Sequence, residues 1–377
     1  MPNTPILSDS PGVAALAAEL AREQVIAVDL EADSMHSYQD KVCLLQVTTP
    51  SKTVLIDPLA DVDLTPLHAV LADPSVRKIF HAADYDIRCL HRDFNIQIRG
   101  LFDTMIASQF VGEEKVGLAD VLAKYFGVEL DKQYQRADWS LRPLPPEMIR
   151  YAAEDTAHLH RLAALLEGKL RDKGRLEWVA EEFGILEQGR FASGDGPLFL
   201  RFKGAAPLRP RQLAILEELL QWRDGEARKR DRPLFKILGN KPLLALAQAP
   251  PQSVQGIAAI EGISPRQADR YGKALLAAIT AGLDLADGEL PVFPRKERRL
   301  RDPDVEARLA LLKQWRQEKA AALELDPGVL INNVLLEELA RRNPAKEAAL
   351  ADTPGLKNWQ RRELGADIVA RLAAKGA

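Results

Sequence analysis

Four carboxylates and one tyrosine in the first half of the chain form the set of side chains with the clearest catalytic potential. They are Asp29 and Glu31 in the segment VIAVDLEAD, Asp86 in FHAADYDIRCL, and Tyr151 and Asp155 in RYAAEDTAHL. Hard divalent cations such as Mg²⁺ prefer oxygen ligands, and carboxylates supply them together with charge. Two such ions about 3.5–4 Å apart can stabilise both the attacking and the leaving oxygen of a phosphodiester during hydrolysis. The set therefore predicts a nuclease if the fold brings these side chains together.

Spacing within each segment indicates which side chains share a face. Residues two apart in a strand point the same way, so Asp29 and Glu31 form an acidic pair that is costly unless a cation compensates it. Residues four apart on a helix are neighbours, so Tyr151 and Asp155 could present a phenol to water and a carboxylate to a metal. A solvated strand end and an ordinary amphipathic helix are the alternatives. Gln46, in the next predicted strand, could reach a terminal nucleotide or be a buried structural amide.

Other polar residues compete for these roles or could support them. Asp84 lies two residues before Asp86, and local reasoning does not choose between them, since one of the two could cap a helix. His81 is interpreted as a packed or hydrogen-bonded histidine rather than a ligand. Asp57 and Asp103 end apolar runs and are candidate caps, and Asp103 could also support the carboxylates from behind.

Length and composition restrict the class of protein. The chain has 377 residues, which suits two or three domains, and its 46% hydrophobic and 28% charged residues are typical of a soluble globular protein. No apolar run reaches the ~20 residues of a membrane helix, and residues 1–12 lack the pattern of a signal peptide. Cys43 and Cys89 lie in apolar runs and are predicted to be free thiols in a reducing compartment. We therefore expect a cytoplasmic protein with no membrane partner.

Charge divides the chain into an acidic and a basic half. Residues 1–200 contain 20 Lys and Arg against 31 Asp and Glu, whereas residues 201–377 contain 31 against 23. A solvated surface can explain such an imbalance. It is also the distribution expected when metal binding and polyanion capture lie in different domains.

Apolar patterns predict an α/β domain followed by helices. Runs of β-branched and aliphatic residues predict strands at 25–29, 42–49, 53–57 and 77–81. Three-to-four spacing predicts helices at 64–73, 84–94, 103–110, 117–126 and 146–170. A boundary rich in Gly and Pro covers 189–210, and the loop 130–144 has no clear periodicity.

An internal repeat occupies the basic half. One offset of 93 residues links five pairs of identical residues: Trp222 and Trp315, Leu243 and Leu336, Ala247 and Ala340, Gly262 and Gly355, and Gly272 and Gly365. We infer two copies of a small helical domain, at 206–285 and 301–375, after an N-terminal domain at 1–195. The segment between the copies, GELPVFPRKERRLRDP, has the prolines and basic residues of a linker.

Basic and aromatic residues are candidates for nucleic-acid contacts. Lys132, Arg136 and Arg142 of the loop 130–144 could clamp phosphates. Trp139, in the same loop, could stack on a base or anchor the loop in the core. Six cations crowd fourteen residues of the first helical copy: Arg223, Arg228, Lys229, Arg230, Arg232 and Lys236. Nucleic-acid binding and a solvated helix face are the two interpretations of that cluster.

The combination resembles the DEDD exonuclease superfamily in its tyrosine-bearing branch. The motifs D-L-E, H-A-A-D-Y-D and Y-x-x-x-D occur in the family's order, and the two repeats are similar to HRDC domains. One exonuclease domain followed by two HRDC-like domains is the layout of the bacterial ribonuclease D family. The resemblance implies an α/β, ribonuclease H-like domain with a mixed sheet flanked by helices, followed by two small all-α domains.

The resemblance also implies roles for the residues. Four carboxylates would hold two Mg²⁺ or Mn²⁺ ions: Asp29, Glu31, Asp86 and Asp155. Tyr151 would orient the attacking water. The implied activity is 3′→5′ hydrolysis of RNA to 5′-mononucleotides, in the maturation of tRNA precursors, by a monomer without an obligate protein partner. The alternatives are a DNA exonuclease of proofreading or repair type and a non-catalytic nucleic-acid-binding protein.

Overall fold

Two structural units make up the residues that the computed structural model describes, which are 4–191, 194–294 and 302–373. The sheet unit contains residues 4–32, 42–191 and 302–373. The helical unit contains residues 33–41 and 194–294. The two helical copies predicted from the repeat therefore belong to different units, the second copy packing with the sheet.

A six-stranded mixed sheet organises the sheet unit. Its strands are β1 (Ile6–Leu7), β2 (Val25–Ala32), β3 (Val42–Thr48), β4 (Thr53–Ile56), β5 (Arg77–Phe80) and β6 (Leu101–Asp103). The spatial order is β1-β4-β3-β2-β5-β6, with β2–β3 and β3–β4 antiparallel and the remaining pairs parallel. Every residue of β3 is buried, as expected for an apolar central strand covered on both faces. This agrees with the predicted fold class.

Eight helices lie between or after these strands in residues 4–191. They are α1 (Ser10–Leu20), α2 (Thr65–Ala72), α3 (Asp84–Phe94), α4 (Thr104–Val111), α5 (Leu118–Phe126), α6 (Pro146–Ala157), α7 (Leu159–Asp172) and α8 (Leu176–Leu186), with a 3₁₀ turn at Pro58–Ala60. The sequence patterns missed β1, α1, β6 and α8. The predicted single helix 146–170 is two helices, since the backbone breaks at His158 (φ −103°, ψ −3°). The break lets α6 pack on β2, β3 and β4 while α7 packs on α4.

The first helical copy forms most of the helical unit. Its helices are α9 (Pro210–Arg230), α10 (Leu234–Ile237), α11 (Asn240–Gln248), α12 (Val254–Ala258) and α13 (Pro265–Asp284), with 3₁₀ turns at Leu198–Arg201 and Asp287–Glu289. Leucines and isoleucines of these helices form a separate core. The basic part of the predicted linker, residues 295–301, lies outside the described residues.

The second helical copy repeats this architecture. It contains α14 (Pro303–Leu323), α15 (Pro327–Leu330), α16 (Asn333–Arg342), a 3₁₀ helix at Glu347–Asp352, and α17 (Asn358–Ala373). Equivalent hydrogen bonds occur in both copies: Arg223 Nη1 donates to the Leu238 carbonyl (3.0 Å), and Arg316 Nη1 donates to the Ile331 carbonyl (2.9 Å). Since each donor and each acceptor are 93 residues apart, the structure confirms the internal repeat.

Aromatic side chains join the second copy to the helices of the sheet unit. The Trp359 ring stacks on Trp178 of α8 with centroids 4.8 Å apart, and it meets the edge of Phe110 at 5.5 Å. Lys357 forms an ion pair with Glu182 at 2.6 Å. The second copy thus shares one hydrophobic core with the sheet. No helix within the described ranges is long and apolar enough to cross a bilayer.

Candidate active site

Three of the predicted carboxylates converge where α6 crosses the sheet. The alternation of β2 places Asp29 and Glu31 on one face, and one turn of α6 aligns Tyr151 with Asp155. Carboxylate oxygens of Asp29, Glu31 and Asp155 lie within 4.8 Å of one another. Ligand oxygens at this spacing can surround a divalent cation.

Asp86 adds a fourth carboxylate from α3. Its side chain is buried, and its charge raises the pKa values of both Asp29 and Glu31. Asp84, its rival, instead points outward and pairs with Arg88 at 2.7 Å. Neither residue caps α3, because the N-cap position is Ala83. The packing of α3 therefore decides between Asp84 and Asp86, since only Asp86 faces the carboxylate cluster.

The cluster carries negative charge that the surrounding protein does not compensate. Burial, and then the charge of Asp86, raises the pKa of Asp29, while burial and three neighbouring carboxylates raise that of Glu31. Burial, and then the charge of Asp29, raises the pKa of Asp155 to about 8. Within the described residues, none of the four carboxylates forms an ion pair with Lys or Arg. A site of this kind must take up cations or protons, so the donor set fits divalent metal ions.

Tyr151 lies at the edge of the carboxylate cluster with its ring fixed on two sides. The ring meets Tyr134 at 5.8 Å and Trp139 at 5.9 Å between centroids. Burial, and then the charge of Asp155, raises the pKa of the Tyr151 phenol far above its usual value. The phenol is therefore protonated at any physiological pH, and it can donate a hydrogen bond but cannot act as a base.

Asp103 stabilises the backbone that positions Asp86 of the cluster. It is fully buried at the start of α4, where it accepts hydrogen bonds from four backbone N–H groups: Ala82 (3.2 Å), Ala83 (2.7 Å), Met105 (2.8 Å) and Ile106 (3.1 Å). The structure confirms it as a helix cap. Its bonds to Ala82 and Ala83 hold the turn that starts α3, and Ala82 has a left-handed backbone there (φ +67°). Asp103 thereby fixes the position from which α3 presents Asp86.

Gln46 lies directly opposite Asp29 in the antiparallel β2–β3 pair, so the two side chains share a face. It is 0% exposed, which corrects the expectation that it reaches a terminal nucleotide. Among the described residues, neither its amide oxygen nor its amide nitrogen has a hydrogen-bond partner. An unpaired buried amide costs roughly 1–3 kcal/mol, so its position beside the carboxylates calls for an explanation.

Comparison with known proteins agrees with this geometry. A family model described as 3'-5' exonuclease matches residues 5–171, and a model described as HRDC domain matches 212–279 and 305–372. Ribonuclease D of Granulibacter bethesdensis is 31% identical over 98% of this chain and 92% of its own length. The chain belongs to the ribonuclease D family. It is a 3′–5′ exoribonuclease.

Solved structures of ribonuclease D and a related protein resemble this chain. The crystal structure of Escherichia coli RNase D covers 99% of this chain and 99% of its own, with a TM-score of 0.77 at 26% identity. The catalytic core of RRP6 from Trypanosoma brucei covers 74% of this chain and 80% of its own, with a TM-score of 0.66 at 30% identity. The mixed sheet followed by helical copies is thus the ribonuclease D architecture.

The loop 130–144 of this ribonuclease D family member is held by two of the residues expected to contact RNA. Trp139 is 1% exposed and packs on Tyr151, so it anchors the loop in the core and has no open face for a base. Arg142 binds both carboxylate oxygens of Asp57, each at 2.5 Å, and also the Cys43 carbonyl at 2.7 Å. Burial of Trp139 corrects the expected stacking on a base, whereas the contact of Arg142 with RNA stays a prediction. Lys132 is exposed.

The basic cluster on α9 separates into residues with different roles. Arg223 is buried and serves the fold of its copy, as its bond to Leu238 shows. Arg228 bonds to Asp224 and lies 5.5 Å from the ring of Tyr38, whereas Lys229 is exposed.

Two further arginines were missed by the sequence reasoning. Arg266 and Arg270 of α13 meet cations from the end of α9 and from α10 around a cavity of about 610 Å³. We call this the basic pocket, after its five cations: Arg230, Arg232, Lys236, Arg266 and Arg270. The four-residue spacing on α13 was the available signal, but only the packing of α13 against α9 shows that the two groups converge.

Proposed function

We propose that this enzyme removes nucleotides from the 3′ end of RNA as 5′-mononucleotides with the help of two divalent ions, Mg²⁺ or Mn²⁺. One observation carries the proposal: partly buried carboxylates from β2 and α6 meet, the buried Asp86 of α3 raises the pKa values of two of them, and none has a Lys or Arg ion-pair partner within the described residues. Four residues would hold the ions: Asp29, Glu31, Asp86 and Asp155. When bound, such ions stabilise negative charge on the attacking and departing oxygens of the phosphodiester.

Tyr151 orients the attacking water in this proposal. Its phenol stays protonated near neutral pH, since even an unperturbed tyrosine has a pKa near ~10, so it donates a hydrogen bond and does not remove a proton. Tyr134 and Trp139 keep the ring in place. We expect Tyr151→Phe to lower kcat much more than it weakens RNA binding, as measured by single-turnover cleavage and by filter binding. An unchanged rate of cleavage would remove this role.

Gln46 and Asp103 position the carboxylates rather than touch RNA. Asp103 fixes the turn that leads to Asp86 through its four backbone hydrogen bonds. Gln46 offers unpaired amide groups beside Asp29, where they can hold the carboxylate or its ligand waters in one orientation.

Structured RNA, and in particular tRNA precursors, is the proposed substrate. The related E. coli enzyme is an exoribonuclease involved in structured RNA processing, which supports this choice. We further propose that the enzyme acts as a monomer in the cytoplasm.

Degradation of labelled RNA and of a matched DNA in the presence of Mn²⁺ tests the proposed reaction. We expect a ladder of 5′-mononucleotide products from RNA, and its loss in Asp86→Asn. Asp84→Asn is the matched control, because this acid lies on the same helical turn but faces outward. Faster degradation of DNA than of RNA would contradict RNA as the substrate. Equal activity of the two variants would contradict the assignment of Asp86 as a metal ligand.

A further inference from the structure

The turn before α3 has a backbone conformation that needs support from its neighbours. Ala82, in the middle of the turn 81–83, has φ +67°, a left-handed conformation that costs free energy in a residue with a Cβ atom. Such conformations persist where the surrounding structure holds them, and they are frequent at functional sites. Asp103 supplies part of this support, since its carboxylate accepts hydrogen bonds from the N–H groups of Ala82 and Ala83. The side chain of His81, the first residue of the turn, is a second group that can hold it.

The ring of His81 bonds to two further elements of the sheet unit. Its Nδ1 lies 2.9 Å from the hydroxyl oxygen of Thr104, the first residue of α4, and that hydroxyl also lies 2.9 Å from the Phe80 carbonyl oxygen. The backbone carbonyl of Val116 accepts a hydrogen bond from the ring. Val116 immediately precedes Gly117, the N-cap residue of α5. One side chain therefore connects the end of β5 to the starts of two helices.

Burial makes this link permanent rather than exchangeable with water. Thr104 is fully buried and His81 is partly buried. Burial, opposed by the charge of Asp103, lowers the pKa of the His81 imidazole, so the ring is neutral at neutral pH. A neutral imidazole has one N–H donor, which the Val116 carbonyl takes, and one acceptor nitrogen, which faces the Thr104 hydroxyl. Both ring nitrogens are thus engaged by protein groups, which suits a fixed link and not a metal ligand.

We propose that His81 is a positioning residue for the metal site, because its ring holds the turn from which α3 presents Asp86. Asp103 fixes the N–H groups of this turn, while His81 ties the same turn to α4 and to the residue before α5. Without the ring the strained backbone can relax, and the carboxylate of Asp86 then shifts relative to Asp29. This inference rests on the proposed function in that Asp86 is assigned there to hold a metal ion.

Replacing His81 by side chains that keep one contact at a time tests the proposal. His81→Asn places an amide near the position of Nδ1 and can keep the contact with Thr104, whereas His81→Gln can reach the position of Nε2 and keep the contact with Val116. His81→Leu removes both. We expect the affinity of the full-length protein for Mn²⁺, measured by calorimetry without RNA, to fall roughly tenfold in His81→Leu and by less in the other two variants. On labelled RNA, kcat should fall in the same order while KM is unchanged.

His160→Leu is the matched control. His160 is also partly buried, and its ring also bonds to a backbone carbonyl, that of Val25. Val25 is the first residue of β2, whereas Glu31 lies near the end of that strand. We expect the urea midpoint of unfolding to fall in both leucine variants, because each loses a hydrogen bond to a buried backbone group. The affinity for Mn²⁺ and kcat should fall only when His81 is replaced.

The outcomes separate the positioning role from a structural one and from the catalytic proposal. Equal Mn²⁺ affinity in His81→Leu and His160→Leu would overturn the positioning role. If His81→Leu does not fold, the amide variants decide, since wild-type Mn²⁺ affinity in both would overturn the role and weaker binding in either would support it. Weaker Mn²⁺ binding in the His81 variants, without RNA hydrolysis by the wild type, would support the positioning role and overturn the proposed function.

Discussion

At the scale of single residues, uncompensated charge is the dominant property of the site. Three partly buried carboxylates lie close together with the buried Asp86 nearby, and all four have raised pKa values: Asp29, Glu31, Asp86 and Asp155. A protein without metal must therefore retain protons there. Metal binding releases those protons and replaces their charge.

This property predicts how stability depends on pH in the absence of metal. Burial raises the pKa of Asp86 and of Asp155 to about 8, whereas aspartate in an unfolded chain titrates near ~3.9. Between these values the folded protein holds protons that the unfolded chain has lost, so stability falls as pH rises. We expect urea unfolding in EDTA to show lower stability at pH 8 than at pH 6, and added Mn²⁺ to reverse the loss. Equal dependence on pH in wild type and in Asp155→Asn would contradict this.

Gln46 provides a second residue-scale prediction. Gln46→Met removes an unpaired buried amide, so we expect the metal-free protein to gain about 1 kcal/mol of stability while Mn²⁺ affinity falls roughly tenfold. Gln360→Met is the matched control, since that buried amide is bonded to Leu330 and Lys357. The control should lose stability and keep its Mn²⁺ affinity, as measured by calorimetry. Unchanged metal affinity in Gln46→Met would show that the amide plays no part in the site.

At the scale of elements, one side chain holds the start of α3 and the start of α4 together. Asp103 caps α4 and also bonds to the two residues that precede α3, so both helices depend on a single carboxylate. The orientation of Asp86 therefore depends on the hydrogen bonds of Asp103 as well as on α3.

Removing the Asp103 carboxylate should lower both the stability of the protein and its affinity for metal ions. Asp103→Ala leaves four N–H groups without their acceptor, so we expect a loss of more than about 2 kcal/mol in denaturant unfolding and weaker Mn²⁺ binding. Asp9→Ala removes an ordinary cap, the bond to the Gly12 N–H at 2.7 Å, and should cost only about 0.5–2 kcal/mol. If both variants bind Mn²⁺ equally well, Asp103 is a structural cap and nothing more.

At the scale of the whole molecule, the duplicated helical domain has diverged in use. The second copy completes the core of the sheet unit through Trp359, Trp178 and Phe110. The first copy keeps a core of its own and presents the basic pocket. Sequence similarity between the copies therefore does not imply similar roles.

Equivalent positions in the two copies should respond differently to mutation. Trp359→Ala should cost about 3–5 kcal/mol in the unfolding of the sheet unit, because it empties a buried stacked position. Arg266→Ala, at the equivalent position of the first copy, should leave the unfolding midpoint unchanged because its side chain is exposed. Denaturant unfolding monitored by tryptophan fluorescence and circular dichroism measures both. A comparable loss in the two variants would mean that the faces have the same structural role.

Relations that lie within one element or recur along the chain can be predicted from the amino-acid sequence. The two-residue spacing of Asp29 and Glu31, the four-residue spacing of Tyr151 and Asp155, and the offset of 93 residues could all be found without coordinates. Strand and helix periodicities are local, so they decide which side chains share a face before any packing occurs.

Which face meets which partner is evident only in the folded protein. It buried Asp86 rather than Asp84, and it occupied Trp139 and Arg142 with internal contacts. It also docked Trp359 while leaving Arg266 exposed at the same position of a repeated fold. The burial of a side chain depends on neighbours that are distant in sequence, and no local pattern encodes their approach.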